Sequence, residues 1–585
     1  LPIWELAGNY TGCMIGYHAI PVITDAYVKG IRDYDTQLAI EAMIKSAMQN
    51  DLGLYSYKRN GFIKSSDEPE SVSKNLEYAY DDWCIAILAD SLKMENVAED
   101  FYKRAQNYKN LFDPSTGFFR AKKSHSWFAP FIPEEVNFNY TEANAWQYSL
   151  FVPQDINGHI ELFGGKEKYE QHLDNMFNTN TKISGRNQPD ITGIIGQYAH
   201  GNEPSHHIAY LYNYVGKPHK TQKIAHKIMT EQYTASPDGL SGNEDCGQMS
   251  SWYVLSAMGF YPVTPGLNYY SIGTPIFEKT IINLENKNTF TIIANNVSDK
   301  NIYIQSSKLN NTAYNNSFIK HSDITKGGEL VFEMGAKPSN WAGNSTPFSE
   351  INNYKIIPVP YFEAESQTFT DKLKIKIGTA VKGDIYYSIN NKKEKIYSKP
   401  IIIYNDSKIV CYTKSGTKVS KKISANYYKI DDSKSINIHS SYANQYAAAG
   451  DKTLIDHLRG GNNYRTGNWQ GYREDLSVTI DLGEIKEISN ITLGCMQDIK
   501  SWIFYPKKVS FFASNDNVTF SNLDVIYTNF SDSIEGSFIN DYTINITNKK
   551  TRYINIKAEN YGVCPKWHLG AGGKTWLFVD EIIIK

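Results

Sequence analysis

Three short segments of this chain place acidic, amide and aromatic residues side by side. They are YTEANAWQY (Tyr140 to Tyr148), HGNEPSHHIAYLY (His200 to Tyr212) and DGLSGNEDCGQMSSWYVLSAMGFY (Asp238 to Tyr261). One carboxyl group can protonate a glycosidic oxygen while another activates water, and aromatic rings can stack on the C–H face of a pyranose. The three segments together predict the active site of a carbohydrate hydrolase.

Two carboxyl groups are candidates for the acid and the base that glycosidic cleavage requires. Glu142 has aromatic neighbours at Tyr140, Trp146 and Tyr148, and an apolar setting keeps a carboxylic acid protonated near neutral pH. Asp245 lies on a loop bounded by glycines, where it is accessible and stays ionised, so it is the candidate general base. The structural alternatives are a carboxylate favoured by a helix N-terminus for Glu142 and a helix-capping loop for Asp245.

Several neighbours of these carboxyl groups are predicted to bind water or sugar. Asn243 is two residues before Asp245, and its amide can hold a water, although it cannot take the proton. The predicted substrate-binding side chains are Trp146, His200, His206, His207 and Glu244. Of the adjacent His206 and His207, one is expected to bind the sugar or the leaving group and the other to pack in the core.

The middle segment also has residues that could hold a metal ion. Asn202 and Glu203 precede Pro204 at a predicted helix start, and oxygen donors of this type suit Ca²⁺. No EF-hand loop is present, so spacing alone does not predict a calcium site. His206 and His207 raise zinc as an alternative, but no third His or Cys stands at ligand spacing.

The three segments, in this order, resemble the family 92 glycoside hydrolases, which are calcium-dependent exo-acting α-mannosidases. The resemblance runs over roughly residues 1 to 355 and includes LPIWELAGNYTGCMIGYHAIPVITDAYVKGI (Leu1 to Ile31), SVSKNLEYAYDDWCIA (Ser71 to Ala86), FVPQDINGHIELFGG (Phe151 to Gly165) and GFYPVTPGLNYYSIGTPIFEK (Gly259 to Lys279). It implies an inverting single displacement on terminal mannose of glycans. Glu142 would be the general acid, and a calcium ion would grip two adjacent mannose hydroxyls.

The resemblance also implies calcium ligands and draws attention to one departure. Glu203 is the first candidate ligand and Asn202 the second, with Gln248 and Asp245 as weaker candidates. The family has an acidic pair in a GDED-type motif, whereas this chain reads GNED. Asn243 therefore replaces one carboxylate of the pair, and Asp245 remains as the base.

Other residues in the matching segments have two interpretations. Members of the family that cleave α-1,2 linkages favour an acidic residue beside the histidine, so Gly201 favours other linkages. Trp4, Glu5, Asp82 and Trp83 are candidates either for lining the cleft or for a structural role beside helix starts.

The first 265 residues have apolar side chains at helical spacing. The predicted helices are Tyr17 to Lys29, Thr36 to Met48, Leu76 to Leu92, Val97 to Leu111, Ala143 to Phe151, Glu167 to Asn178, His206 to Tyr214, His219 to Tyr233 and Gly247 to Met258. They are too few for a complete (α/α)6 toroid, so residues 1–265 are predicted to form a toroid that lacks its first helices. The resemblance implies the same, because an upstream Trp-Asp-Thr motif of the family is absent. The chain is expected to be the C-terminal portion of a longer enzyme or a fragmentary gene product.

After Pro265 the helical period gives way to short alternating strands such as TFTIIANNV and NIYIQSS, which predicts a β-rich segment over residues 266–360. Residues 361–430 are predicted to form a small β-sandwich, which resembles the domain appended to chitobiases. The polar stretch DDSKS (Asp431 to Ser435) is predicted to be a linker.

The last domain, residues 436–585, is predicted to be all-β. It resembles the discoidin or coagulation-factor C-type domains, which overlap the family 32 carbohydrate-binding modules. The residues behind this resemblance are LIDHLRGGNNYRTGNWQGYREDLSVTIDLG (Leu454 to Gly483) and FYPKKVSFFASND (Phe504 to Asp516). Arg465, Trp469 and Tyr472 are the candidates for a sugar-binding edge.

Bulk properties exclude several partners. A net charge of -2 and a pI near 6.7 leave no basic field for nucleic acid or an anionic membrane. No apolar run approaches the roughly 18 residues that span a bilayer. The six cysteines lie far apart and are expected to be mostly free and buried. Much Asn, Lys, Ile and Tyr, together with the appended modules, predicts a bacterial enzyme that is extracellular, periplasmic or on the cell surface.

Two other functions remain open at this point. An (α/α)6 phosphorylase would use phosphate in place of water and would need no base, which Asp245 argues against. A glycan-binding surface protein with an inert hydrolase module would bind sugar without turnover. The leading hypothesis remains a calcium-dependent inverting exo-α-mannosidase.

Overall fold

The computed structural model describes residues 1, 5–6, 8–10, 14–430 and 434–585. Helices dominate the first part of the chain and strands the remainder. The described α-helices are Ala19–Val28, Thr36–Ala47, Leu54–Asn60, Ser71–Ser91, Glu95–Arg104, Ala145–Tyr148, Ile156–Phe163, Lys166–Asn178, Pro218–Glu231, Gln248–Met258 and His321–Thr325. Residues 14–259 are called the helical region below. None of the helices in the described ranges combines the length and apolar character needed to cross a membrane.

The helix Ser71–Ser91 lies at the centre of the helical region and is buried on nearly every side. Its apolar residues Leu76 and Trp83 are in the core, as helical spacing predicts. Asp82 is also fully buried, where it accepts two hydrogen bonds from Arg104, both at 2.9 Å, and others from tyrosine hydroxyls. Asp82 and Trp83 therefore have the structural role rather than a place in a cleft.

Most of the predicted helices are confirmed, with boundaries that differ by a few residues, and the structure adds Leu54–Asn60 and Ile156–Phe163. One segment is different. His206 to Tyr214 does not form an α-helix but a 3₁₀ helix at Ile208–Asn213, in which the amide of Tyr210 donates to the carbonyl of His207. All six residues of this 3₁₀ helix are buried, so packing on every side overrides the helical period of the sequence.

A five-stranded sheet follows the helical region. In spatial order its strands are Lys279–Asn283, Thr289–Asn295, Gly328–Gly335, Tyr303–Leu309 and Thr312–Ala313. The second and third run parallel and the other pairs antiparallel. A three-stranded sheet of Phe318–Lys320, Tyr269–Ile272 and Phe260–Tyr261 joins it to the last helix of the helical region. The two strands that alternation predicted, TFTIIAN and YIQSS, are confirmed.

Residues 361–430 form two small sheets, here called the small β unit. One contains Tyr361–Ala364, Leu373–Gly378 and Ile401–Ile403, and the other contains Thr368–Phe369, Ile423–Lys429, Ser407–Ser415, Asp384–Ile389 and Lys395–Ile396, with Lys418–Val419 at its side. Their inner residues, such as Ile375 and Ile409, share one buried cluster with Leu76 and Tyr108 of the helical region. The small β unit is thus packed on the helices through a common core.

Residues 434–585, the C-terminal β region, form a seven-stranded arrangement. Its strands in order are Gln470–Tyr472, Leu577–Ile584, Leu476–Asp498, Ser537–Ala558, Lys508–Ser514 and Ser521–Tyr527, with Ser435–Ile438 beside the third. Trp469 and Tyr472, predicted to line a sugar-binding edge, are fully buried. Trp469 donates its indole N–H to the carbonyl of Gly461 at 2.8 Å. Both belong to the core, and only Arg465 of that trio is partly exposed.

Among the described cysteines, Cys84, Cys411, Cys495 and Cys564 are free and buried, as expected. Cys246 is also free but exposed, in the loop that carries Asp245.

Candidate functional site

The three acid-rich segments converge in space. The amide Nδ2 of Asn202 lies 3.2 Å from the carbonyl oxygen of Glu142 and 3.4 Å from its carboxylate Oε2. The carboxyl groups of Glu203 and Asp245 lie close enough to share a hydrogen bond. Segments about a hundred residues apart in sequence therefore contribute to one cluster of carboxyl groups.

Glu142 is held in a turn outside the helix that follows it. Its φ of 49° is in the left-handed region, which is unfavourable for a side chain with a Cβ and is typical of functional sites. The N-cap of the helix Ala145–Tyr148 is Asn144, which forms a capping box with Gln147. Glu142 is two residues before this cap, so it does not fill the helix-start role that was the structural alternative for it.

The carboxyl group of Glu142 is half-buried among acidic neighbours. Burial raises its pKa, the charges of Asp190 and then of Glu70 and Asp245 raise it further, and the hydrogen bond from Asn202 opposes the change. Each cause but the last favours the protonated form, which is the form that a general acid needs.

Asp245 lies on a strained loop. The backbone of this loop packs closely against the loop that carries Glu203. Asp245 and Cys246 have φ values of 46° and 56°. Behind them, a Cβ on Gly242 would lie 2.5 Å from the Cα of Gly201, and a Cβ on Gly201 would lie 1.9 Å from the hydroxyl of Thr192. Only glycine allows the two loops to approach this closely. A larger residue at position 242 would overlap the backbone of Gly201, and a larger residue at position 201 would require Thr192 to move, so packing as well as linkage bears on Gly201.

Glu203 and Asp245 form the most closely interacting acidic pair of the site. Burial raises the pKa of Glu203 to about 7, with the hydrogen bond and the charge of Asp245 acting in the same direction. Two carboxylates in such proximity repel each other, which favours a proton or a cation at Glu203.

Asp190 is a site residue that the sequence patterns did not indicate. Its Oδ1 accepts a hydrogen bond from Nδ2 of Asn243 at 3.1 Å, and its Oδ2 accepts one from Gln188 at 2.6 Å. Its charge is also the largest acidic influence on the pKa of Glu142. The available signal was an acidic residue in the turn PDITG, ten residues before His200.

A second unpredicted group borders the site. His18 lies 2.8 Å from both the carboxylate of Glu77 and that of Asp81. Burial opposes a charge on this imidazole, but the two carboxylates prevail and raise its pKa well above the ordinary value. Glu77 also accepts a hydrogen bond from the hydroxyl of Tyr148, and the charge of Glu142 influences that hydroxyl.

The three predicted sugar-binding histidines are all buried. His206 donates from Nε2 to the carbonyl of His200 at 2.9 Å, and His207 donates from Nε2 to the carbonyl of Leu150 at 2.9 Å. His200 lies between the hydroxyls of Tyr198 and Tyr233, 2.8 and 2.7 Å away. Burial lowers the pKa of His206 and of His207 to about 4, so both are neutral.

The contacts of the histidines do not resemble a zinc site. Within the described parts of the chain, no three His, Cys, Asp or Glu side chains are grouped so as to hold a metal ion by themselves. Because Nε2 of His206 is a donor, its Nδ1 accepts from the amide Nε2 of Gln248 at 3.1 Å. This contact orients Gln248 and leaves its Oε1 available for another partner.

Two further predicted residues have other partners in the structure. The ring of Trp146 packs on Phe118 and His172, with centroid distances of 4.7 and 5.0 Å. The carboxylate of Glu244 accepts hydrogen bonds from the amide and the hydroxyl of Ser250, at 3.2 and 3.0 Å, in the first turn of the helix Gln248–Met258. These contacts support packing and capping, and binding of sugar by either side chain stays a prediction.

The candidate metal ligands are not equally available. Asn202 uses its Oδ1 to accept from the amide of Glu203 and its Nδ2 to donate to Glu142. It therefore links the acid to the middle segment. The carboxyl groups of Glu203 and Asp245 lie close to each other, and the backbone amide of Gln248 donates to the carbonyl of Asp245 at 3.2 Å. Trp4 and the side chain of Glu5 lie outside the described residues.

Comparison with known proteins places the chain in a family. Residues 1–336, more than half of the chain, match the glycosyl hydrolase family 92 catalytic domain. A family GH92 alpha-mannosidase from Bacteroides thetaiotaomicron, solved in complex with mannoimidazole, is 40% identical with a TM-score of 0.58, and the match covers 61% of this chain and 49% of that one. A family GH92 inverting mannosidase from Bacteroides thetaiotaomicron VPI-5482 is 35% identical with a TM-score of 0.54, over 59% of this chain and 50% of that one.

A secreted glycosidase of Arthroderma benhamiae, itself uncharacterized, is 31% identical over 370 residues, which are 56% of this chain and 46% of that protein. The chain thus spans about half the length of the relatives that it matches. The family resemblance seen in the sequence segments is confirmed over the first 336 residues.

Proposed function

This chain belongs to glycosyl hydrolase family 92, and on that premise we propose that it removes terminal α-linked mannose from glycans by a single displacement with inversion. The observation that carries the proposal is the half-buried Glu142, whose pKa is raised, in one cluster with Glu203 and Asp245. A carboxylic acid whose pKa is raised by burial, with a second carboxyl group in the same site, is the arrangement that glycosidic hydrolysis uses.

Glu142 is the proton donor of the proposed reaction. Its proton passes to the glycosidic oxygen as the bond to the anomeric carbon breaks, so the leaving sugar departs as a neutral alcohol. The turn at Glu142 and the hydrogen bonds from Asn202 hold the carboxyl group in place. Asn202 is therefore proposed as a positioning residue for the acid.

Asp245 is the proposed base, which takes the proton of the attacking water on the opposite face of the sugar. Inversion requires carboxyl groups roughly 6.5–9.5 Å apart, which leaves room for that water. Asn243 can orient the water but not deprotonate it, and its amide is itself oriented by Asp190. Asp190 therefore places a second carboxylate beside the GNED loop, in which Asn243 stands where the family motif has an acidic residue.

The chemistry of the donors fits a calcium ion. Glu203 and Gln248, with Asp245 directly or through water, would hold it, because calcium takes six to eight hard oxygen ligands, some of which come from substrate and water. When bound, calcium would polarise two adjacent mannose hydroxyls and help to bend the ring. Burial is the main cause of the raised pKa of Glu203, and the charge of Asp245 adds to it; a cation at this pair would oppose both effects, which supports this assignment.

The finer architecture is also part of the proposal. The helical region would be part of an (α/α)6 toroid, the small β unit a chitobiase-like module, and the C-terminal β region a discoidin-like carbohydrate-binding module. A glycan-degrading enzyme of this kind acts outside the cytoplasm, and the relative from Arthroderma benhamiae is described as secreted.

The test uses the full-length protein and α-linked manno-disaccharides of each linkage. Free mannose is followed with EDTA, without EDTA, and after calcium is restored, and the anomeric configuration of the first product is read by NMR. Release as the β-anomer that EDTA abolishes and calcium restores is the expected result. No release in calcium would refute the mannosidase, and release as the α-anomer would refute inversion.

A further inference from the structure

The C-terminal β region contacts the helical region beside the candidate active site. The ring of Tyr446 stacks on that of Phe138, with centroids 5.5 Å apart and planes 20° from parallel. The guanidinium of Arg186 lies 4.0 Å from the centroid of the same Phe138 ring. Three side chains from three segments therefore form one contact, called the Tyr446 stack below.

Both helical-region members of the Tyr446 stack are close in sequence to carboxyl groups of the site. Phe138 is four residues before Glu142, and Arg186 is four residues before Asp190. The two segments are also paired with each other, since the amide of Arg186 donates to the carbonyl of Val136 at 2.9 Å. The Tyr446 stack is therefore separated from each carboxyl group by only a few residues of two segments that are hydrogen-bonded to each other.

Tyr446 is itself held firmly by its own region. Its ring makes edge contacts with Tyr464, Trp576 and Phe578 at centroid distances of 5.9, 5.1 and 4.8 Å. Such aromatic pairs stabilise a fixed ring orientation. Tyr446 thus presents a rigid face to Phe138.

A charge interaction also acts between the same two parts of the chain. Burial lowers the pKa of Lys123 in the helical region, and the charge of Asp456 in the C-terminal β region opposes that change. Attraction between Lys123 and Asp456 therefore acts across the two regions in addition to the Tyr446 stack.

We propose that the C-terminal β region is a working part of the active site, in which Tyr446 is a positioning residue for the loops that carry Glu142 and Asp190. The inference rests on the proposed mannosidase function for its catalytic consequence, but not for the positioning itself. It gives the C-terminal β region a role beyond any binding of distant glycan.

The test compares Tyr446→Ala, Tyr446→Phe and Phe138→Leu in the full-length protein. Trp567→Ala is the matched control, because Trp567 is half-exposed and its ring packs beside His568 within the C-terminal β region. Amide hydrogen exchange is measured for peptides covering residues 134–146 and 184–192. Values of kcat and KM are measured with an aryl α-mannoside across pH, and thermal unfolding checks that each variant is folded.

Faster exchange in both peptides is expected for Tyr446→Ala and Phe138→Leu, and unchanged exchange for Tyr446→Phe, which keeps the ring. The kcat of the first two should fall by about three- to tenfold with a smaller change in KM, the scale of one aromatic and one cation–π contact. In Tyr446→Ala and Phe138→Leu, the fall of the rate at alkaline pH should begin at a lower pH. Burial is the main cause that raises the pKa of Glu142, so a more exposed Glu142 has a lower pKa.

Unchanged exchange in either peptide would overturn the proposal, as would faster exchange with unaltered kcat, or equal effects in Trp567→Ala. If the unaltered protein releases no mannose, the proposed function fails, and the exchange comparison alone decides the positioning. Two variants that remove the stack from opposite sides keep the test valid if one of them does not fold.

Discussion

Replacement of Glu142 by glutamine tests the role of the general acid separately from the role of the general base. The Glu142→Gln side chain keeps the size of the original and can still contact Asn202, but it has no proton to give to a leaving sugar. General acid catalysis contributes about 10²–10⁴ in rate, which corresponds to about 3–5 kcal/mol of barrier. We expect a loss of that size for an α-linked manno-disaccharide.

The loss should depend on the leaving group. A dinitrophenolate departs as a stable anion and needs no proton, so Glu142→Gln should lose less than about tenfold on dinitrophenyl α-mannoside. Asp245→Asn should lose about 10²–10⁴ on both substrates, because water must be activated whichever group leaves. The two variants thus serve as controls for each other.

The assay follows initial rates of both substrates at saturating calcium from acidic to alkaline pH. In the unaltered protein the rate should fall as pH rises through the raised pKa of Glu142, because only the protonated form is active. In Glu142→Gln that alkaline limb should be absent with the dinitrophenyl substrate. Equal losses of Glu142→Gln on both substrates, or a retained alkaline limb, would refute the assignment of the acid.

Three other predictions follow from the same contacts. Asp190→Asn should shift the alkaline limb of the pH–rate profile to lower pH, because the charge of Asp190 raises the pKa of Glu142. Calcium affinity, measured by calorimetry, should weaken by about tenfold per pH unit below pH 7, since Glu203 must lose its proton and its pKa without metal is about 7. Asp82→Ala should lower the melting temperature, measured by scanning fluorimetry, by about 10 °C, because it leaves Arg104 buried without its partner at a cost of about 3–5 kcal/mol.

Each of these has a clear contrary outcome. An alkaline limb that stays in place in Asp190→Asn would mean that its charge does not reach the acid. Glu203→Gln should abolish the pH dependence of calcium binding, and a dependence that survives would assign the titration to another group. Glu99→Ala, which breaks the exposed pair with Lys103, is the control for Asp82→Ala and should change the melting temperature little.

The sequence identified the acid-rich segments because their chemistry is local. YTEANAWQY and GNEDCGQ contain the carboxyl group, the turn and the cap within a few residues of one another. Asn144 caps the helix after Glu142, and three successive left-handed residues end at Gly247, so the neighbouring residues dictate both turns. Helical spacing likewise predicted most helices of the helical region.

The partners of those segments could not be predicted in the same way. Asp190 is next to Asn243 only because the chain returns there 53 residues later, and Tyr446 reaches Phe138 across more than 300 residues. Trp469 is a residue type that suits a sugar-binding edge, yet its side chain is buried. Burial depends on what packs against a side chain and not only on its type.

The pair Gly201 and Gly242 shows the division between the two sources of information. In the sequence alone, Gly201 is one glycine in a loop, and its place beside a histidine favours linkages other than α-1,2. In the fold it lies against the backbone of Gly242, and this contact is two residues from Glu203 and three residues from Asp245, which interact with each other. The residue types and local turns of the site were thus determined by the sequence alone, because they depend on near neighbours. Which carboxyl groups share space, and therefore which pKa values rise, was decided by the tertiary structure, because electrostatic and steric interactions act through distance in space.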